Sequence, residues 1–347
     1  MNGNSNATAL KPPARSRWKR LLQNLALSLV TFLLCLAAFE IILRVAGYGN
    51  VEIYQPDPKL YWRLKPNQNC FTKIGHKPVY INSHATRGPD FSTAKPPNTV
   101  RILSLGDSRT FGWGLTDDET YSRQLQSLLQ RHMASGKRVE VINAGVNAWS
   151  YPQIWVYFRD IGLKYQPDIV VLAGANLWTQ FSEANSPKFV SQFMWRVRLK
   201  NFLRRFAIYD YVVEVKLRKY YGQYRAMFIP VNPDQDALFK AEQQKHPYAL
   251  FQSAIEDVCQ LAQTNGVKPV LLYLPDATEL DATNTPILDV MRETHEKLGV
   301  PLVNMVPDVK PQGKTLYLNA DTVHFNAGGN DLIGRRLFET ATNLIQP

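Results

Sequence analysis

Four short stretches carry residue types that could perform nucleophilic chemistry. In "RILSLGDSRTFGWG", residues 101–114, an apolar run turns polar at Gly106-Asp107-Ser108. "NADTVHFNAGG" sets Asp321 three residues before His324. Between them, "NAGVNAWS" offers Gly145, and "AGANLW" offers Gly174 and Asn176. A serine hydroxyl is a weak nucleophile until a neighbouring base takes its proton, and imidazole suits that task near neutral pH. An aspartate one turn away can hold the second ring nitrogen and fix the tautomer. Singly, each stretch has a plainer reading. Gly-Asp-Ser is common in turns, and an aspartate ahead of a helix commonly caps amides.

The elements that would position these residues decide between the readings. Short β-branched runs at Val100–Leu105, Val139–Ile142, Ile169–Leu172, Pro269–Leu274 and Leu302–Met305 read as strands buried on both faces. Helical patterns separate them. "TYSRQLQSLLQRHMA" sets Leu125, Leu128 and Leu129 on one face, and "FQSAIEDVCQLAQTNG" ends at a C-terminal glycine. Strand–helix alternation predicts a parallel sheet with helices on both sides. In such sheets ligands bind beyond the carboxyl ends of the strands. Ser108, Gly145 and Asn176 each follow a predicted strand, and Asp321 and His324 precede the last helical pattern, so one rim would gather them all.

In this order the four blocks resemble the SGNH (GDSL-type) hydrolases, named for Ser, Gly, Asn and His. The resemblance spans residues 99–345 and is closest to the membrane-anchored bacterial branch, where "RLKPN"-like residues precede GDSxTxGxG. Thr110, Gly112 and Gly114 keep that longer signature, while Leu177 replaces the usual aspartate of the third block and Phe325 the proline after the histidine. The resemblance implies a three-layer α/β/α fold with a flavodoxin-like parallel sheet. It also implies ester hydrolysis, with Ser108 as nucleophile, His324 as base and Asp321 as its orienting partner. The oxyanion would meet the backbone amides of Ser108 and Gly145 and the side-chain amide of Asn176. A side chain at position 145 would obstruct that oxyanion, whereas Asp107 is expected to hold the loop.

Other chemistries lack their signatures. GxGxxG, GxxxxGK[ST] and GxSxG are absent. His76, His84, His132, His246 and His295 have no partners at metal-ligand spacing, so neither metal nor organic cofactor is expected. Cys35, Cys70 and Cys259 form no CxxC, and pairing of the last two stays open. The 347 residues are 45% hydrophobic, as in a protein with a real core, and carry a formal charge of +11. Such charge favours anionic partners, but without a nucleic-acid-binding motif no nucleic-acid partner is expected.

Residues 21–47 are predicted to anchor the chain in a membrane. Leu25 to Leu43 is interrupted only by Ser28, Thr31 and Glu40, and five cations without an acid precede residue 21. A spanning helix needs ~20 apolar residues, and the positive-inside rule puts residues 1–20 in the cytoplasm. A cleaved signal peptide is the rival, with Val45-Ala46-Gly47 a weak small-residue site. Residues 48–98 then form an extracytoplasmic linker segment and residues 99–347 the hydrolase domain, interrupted by a basic insertion at 188–225. Within that insertion Phe189, Phe193 and Val197 recur at helical spacing, with Arg196, Lys200 and Arg204 on another face. It reads as a solvated surface helix, or as one lying on anionic lipid or over the site mouth. The expected substrate is an acylated carbohydrate or lipid. O-acetyl groups of anionic envelope or extracellular polysaccharide come first and lysophospholipid next. Acyl transfer to a hydroxyl would use the same residues, and a catalytically silent polysaccharide-binding protein is the rival class. The oligomeric state stays open.

Overall fold

The computed structural model describes residues 14–49, 54–72, 75–133, 136–174, 187–217, 248–282, 285–319 and 321–345. The chain opens with α1 (Ala14–Val45), whose stretch Trp18–Val45 is long and apolar enough to cross a membrane. Two antiparallel hairpins follow, β1 (Tyr54–Asp57) with β2 (Tyr61–Leu64) and β3 (Gln68–Phe71) with β4 (Pro78–Ile81). The main domain then runs β5 (Thr99–Gly106), α2 (Ser108–Phe111), α3 (Tyr121–His132), β6 (Arg138–Gly145), α4 (Tyr151–Asp160) and β7 (Ile169–Ala173). It continues through α5 (Pro187–Leu203), α6 (Ala249–Thr264), β8 (Lys268–Tyr273), α7 (Pro286–Leu298), β9 (Leu302–Asn304) and α8 (Ala327–Ile345).

Five parallel strands form the central sheet in the order β6-β5-β7-β8-β9, the flavodoxin-like arrangement expected of the family. Side chains alternate along them. Leu103, Leu105, Val170 and Leu172 face one core with Trp149, Ile154 and Phe158 of the α4 region and Ile255 and Val258 of α6. Ile102, Ile169 and Val171 face the other, with Leu125 and Leu129 of α3 and Ile333 and Leu337 of α8. That period of two is what a sheet covered on both faces requires. Register aligns the rim. Gly106 at the end of β5 pairs with Gly145 of β6 on one side and Ala173 of β7 on the other.

Residues 54–98 do more than space the domain from α1. Leu60, Leu64, Cys70, Val79 and Ile81 are buried in the same core as β5 and α4. Arg87 bridges Ile81 to Asn143 in the backbone ladder, tying the second hairpin to β6. No disulfide joins Cys70 to Cys259, and burial pushes the Cys259 thiol up to about 12.

Candidate active site

The serine sits where the central strand breaks. At Gly106 a Cβ would lie 2.1 Å from Thr110 Oγ1 and 2.2 Å from the Ala173 carbonyl, so β5 can turn into α2 only through glycine. Asp107 then caps α2, its carboxylate accepting from the Arg109 amide at 2.9 Å. Ser108 is the first helical residue, and amides at a helix start have no intrahelical acceptor. Arg109 folds back on the cap. Its guanidinium donates to Asp107 at 3.0 Å and to the Leu274 carbonyl at 2.8 Å. Burial opposes that charge, but Asp107, Asp276 and Glu279 outweigh it and hold the guanidinium protonated. Asp107 therefore holds the loop, as its position suggested.

The histidine arrives from the loop before α8. A backbone bridge pairs Tyr317 with Phe325, and the Leu318 amide donates to the His324 carbonyl at 2.9 Å. Phe325, the residue after the histidine, stacks on Tyr317 with ring centroids 4.5 Å apart. Within this loop one oxygen of Asp321 accepts from the amides of Val323 and His324, at 2.8 and 3.0 Å. Its other oxygen lies 2.8 Å from His324 Nδ1. Asp321 thus holds two loop amides and the imidazole at once, while the start of α8 is capped by Asn326, whose Oδ1 accepts from the Gly329 amide at 3.1 Å. Burial works against the carboxylate's charge, yet the His324 bond, the His324 charge and the two amides prevail and hold it down to about 2. An ionised carboxylate can only accept, so Nδ1 carries the proton and Nε2 offers its lone pair outward.

That lone pair meets the serine. His324 Nε2 lies 2.8 Å from Ser108 Oγ, across 216 residues of sequence. His324 is buried, and Trp113 meets its ring edge-on at a centroid distance of 4.7 Å. Chemically, this arrangement can move a proton off the hydroxyl while the ring's far side stays anchored.

In the second block the Gly145 N–H donates to Asn143 Oδ1 at 3.1 Å. Glycine is required there by close packing. A Cβ would lie 2.3 Å from the Phe111 nitrogen, because α2 packs directly on the end of β6. Gly174, with φ +58°, is likewise closed in, its would-be Cβ 2.9 Å from both Arg109 Nε and Asp107 Oδ1. Asn176 and Leu177 fall outside the described residues. Sequence reasoning missed two residues that hold the site together. Asn143 is buried and donates to the Thr110 carbonyl at 2.8 Å. Arg87, also buried, donates to the carbonyls of Phe111, Gly112 and Leu115 at 2.6–2.7 Å and to Asp117 at 2.6 Å. Asn143 could have been flagged by its place in "NAG" at a strand end, whereas Arg87 carries no signal in the sequence.

Similar solved structures include a lipase/acylhydrolase from Enterococcus faecalis, at 14% identity and TM-score 0.44, covering 72% of this chain and 98% of that one. Another is a catalytic mutant of an acetylxylan esterase from Geobacillus stearothermophilus, at 15% identity and TM-score 0.43, covering 69% and 93%. A two-domain esterase active on acetylated mannans is 12% identical with TM-score 0.40, covering 71% of this chain and 50% of its own. Comparison with curated proteins finds no match. The sequence profile of the GDSL-like lipase/acylhydrolase family matches residues 104–332, from within β5 into α8. The chain belongs to that family and is an ester hydrolase.

Proposed function

We propose that the protein is a serine esterase working outside the cytoplasm, with Ser108, His324 and Asp321 as its catalytic residues. The observation that carries this reading is the unbroken line of hydrogen bonds from Ser108 Oγ through His324 to Asp321, 2.8 Å at each step. Ser108 Oγ attacks the acyl carbon as its proton passes to His324 Nε2. The tetrahedral oxyanion is met by the backbone amides of Ser108 and Gly145 and the Asn176 side chain. Collapse expels the alcohol, which takes the proton from Nε2, and leaves the acyl group on Ser108. A water, deprotonated by the same nitrogen, then releases the acid. Asp321 stays ionised throughout and stabilises the imidazolium.

The substrate class is an O-acyl ester, foremost acetyl, on an anionic carbohydrate of the envelope or extracellular matrix. The formal charge of +11 supports an anionic polymer, and the five cations before residue 21 support a cytoplasmic N-terminus with residues 48–347 outside. α1 is then an uncleaved anchor and residues 99–347 are the hydrolase domain. The test is acid release by the purified full chain from an acetylated uronate polymer, a neutral acetylated glycan and a lysophospholipid. Acetate released fastest from the anionic polymer, and lost in Ser108→Ala, is the expected result. Release of fatty acid alone would replace carbohydrate by lipid, and transfer of acetyl to an added sugar would make the reaction a transferase one.

A further inference from the structure

The C-terminal end of α1 is locked to the segment that follows α5. Both carboxylate oxygens of Glu40 accept backbone amides, from Ala207 at 2.9 Å and Ile208 at 3.0 Å. Arg44 joins the same carboxylate to the Arg205 carbonyl. Four residues past the helix, the Gly49 amide donates to buried Asp210 at 2.9 Å. Tyr211 meets the rings of Phe39 and Tyr48 edge-on, at 6.4 and 5.0 Å. The one acid in the apolar stretch of α1 thus has a structural partner. Glu40 is five residues short of the helix end, about 7 Å along the axis at 1.5 Å per residue, which is the depth of an interfacial helix.

α5 leads into this junction with two faces. On one, Asn201 donates to the Tyr54 carbonyl and the Arg204 guanidinium lies over the Tyr54 ring, 5.7 Å from its centroid. Arg204 is buried there, which corrects the expectation that it shares a solvated basic face with Arg196 and Lys200. On the other face Trp195, Leu199 and Phe202 are 62, 37 and 53% exposed, and their spacing of four and three residues makes one stripe. Phe206, three residues past the helix and 44% exposed, extends it through a ring contact with Phe202 at 5.6 Å. Arg198, Arg205 and Lys216 are exposed in the same segment. Between residues 187 and 217 there are seven Lys or Arg but only Asp210 and Glu214 as acids. Exposed aromatic and aliphatic side chains with cations, joined through residues 205–211 to the end of an apolar helix, match the boundary between headgroups and acyl chains.

We propose that residues 187–217 form an interfacial membrane element. The 195/199/202/206 stripe lies in an anionic leaflet where α1 leaves the bilayer, and it fixes the tilt of the hydrolase domain on the membrane. This rests on α1 spanning the bilayer. The full chain, reconstituted into phosphatidylglycerol-containing vesicles with lipids brominated near the headgroup or near the chain end, provides the test. The Trp195 emission, taken as the difference between wild type and Trp195→Phe, should fall about two-fold with the headgroup-proximal bromine and less with the deep one. Trp18, read in the same way from Trp18→Phe, reports the anchor. Quenching of Trp18 without quenching of Trp195 keeps the span and overturns the proposal, leaving the stripe to a protein partner. Quenching of neither overturns both. A benzophenone side chain at position 202 gives an independent readout, with lipid adducts expected and their absence contradicting the proposal.

Discussion

At the level of single residues, the orientation of His324 turns on how Asp321 is held. One oxygen serves two amides and the other the imidazole, so a neutral isostere would lose the charge and could present an N–H to Nδ1. Asp321→Asn should therefore lower ester turnover about 10³–10⁴-fold by favouring the wrong tautomer, with the fold retained by circular dichroism. The same carboxylate makes stability depend on acid. Its folded value of about 2 lies below its ordinary 3.8, so the stabilisation is complete above about pH 4 and fades as pH falls through the folded value. Discounted for solvent screening of this half-buried group, the shift corresponds to about 1 kcal/mol. Urea titrations between pH 5 and pH 2 should show the wild type losing about that much more stability than Asp321→Asn. Equal slopes for the two proteins would contradict the ionised, half-buried carboxylate.

At the scale of elements, the site exists because β5, β6 and β7 end in register and α2 packs on their tips. Gly145→Ala tests this directly. The new methyl would stand 2.3 Å from backbone that cannot rotate away, so α2 must shift and carry Ser108 with it. Overpacking of this kind costs about 1–3 kcal/mol, and turnover should drop at least about ten-fold because hydroxyl and imidazole no longer meet. An unchanged melting temperature and turnover would show that α2 does not press on β6. Most of this layer was legible beforehand, for a physical reason. Buried parallel strands need continuous β-branched runs, and those runs locate the rim within a residue or two, as with Val100–Leu105 against Thr99–Gly106. What the rim does with its polar groups is set by tertiary approach, which leaves little trace in sequence. Hence the contact between the Gly145 N–H and Asn143 went unnoticed, as did Arg87, although it holds three carbonyls of the loop after the serine. Glu40, an interruption near one end of the apolar run, has a partner more than 160 residues away.

At the scale of the whole molecule, an N-terminal apolar helix and an ester hydrolase domain share one chain. The 28-residue stretch Trp18–Val45 of α1 contains an 18-residue window with a mean hydropathy of 2.5. At 1.5 Å per residue it extends about 42 Å, more than the ~30 Å hydrocarbon core requires. As an uncleaved anchor it should keep the protein in the membrane pellet through alkaline carbonate washing, with an intact mass that includes residue 1. A mature chain beginning near residue 48 would instead identify a removed signal. The most direct test of the central claim is labelling of the membrane-reconstituted full chain by a fluorophosphonate probe. The wild type should acquire one covalent adduct, mapped to Ser108 by peptide mass, and Ser108→Ala should acquire none. A folded wild type that never labels, or an adduct on another serine, would contradict the account.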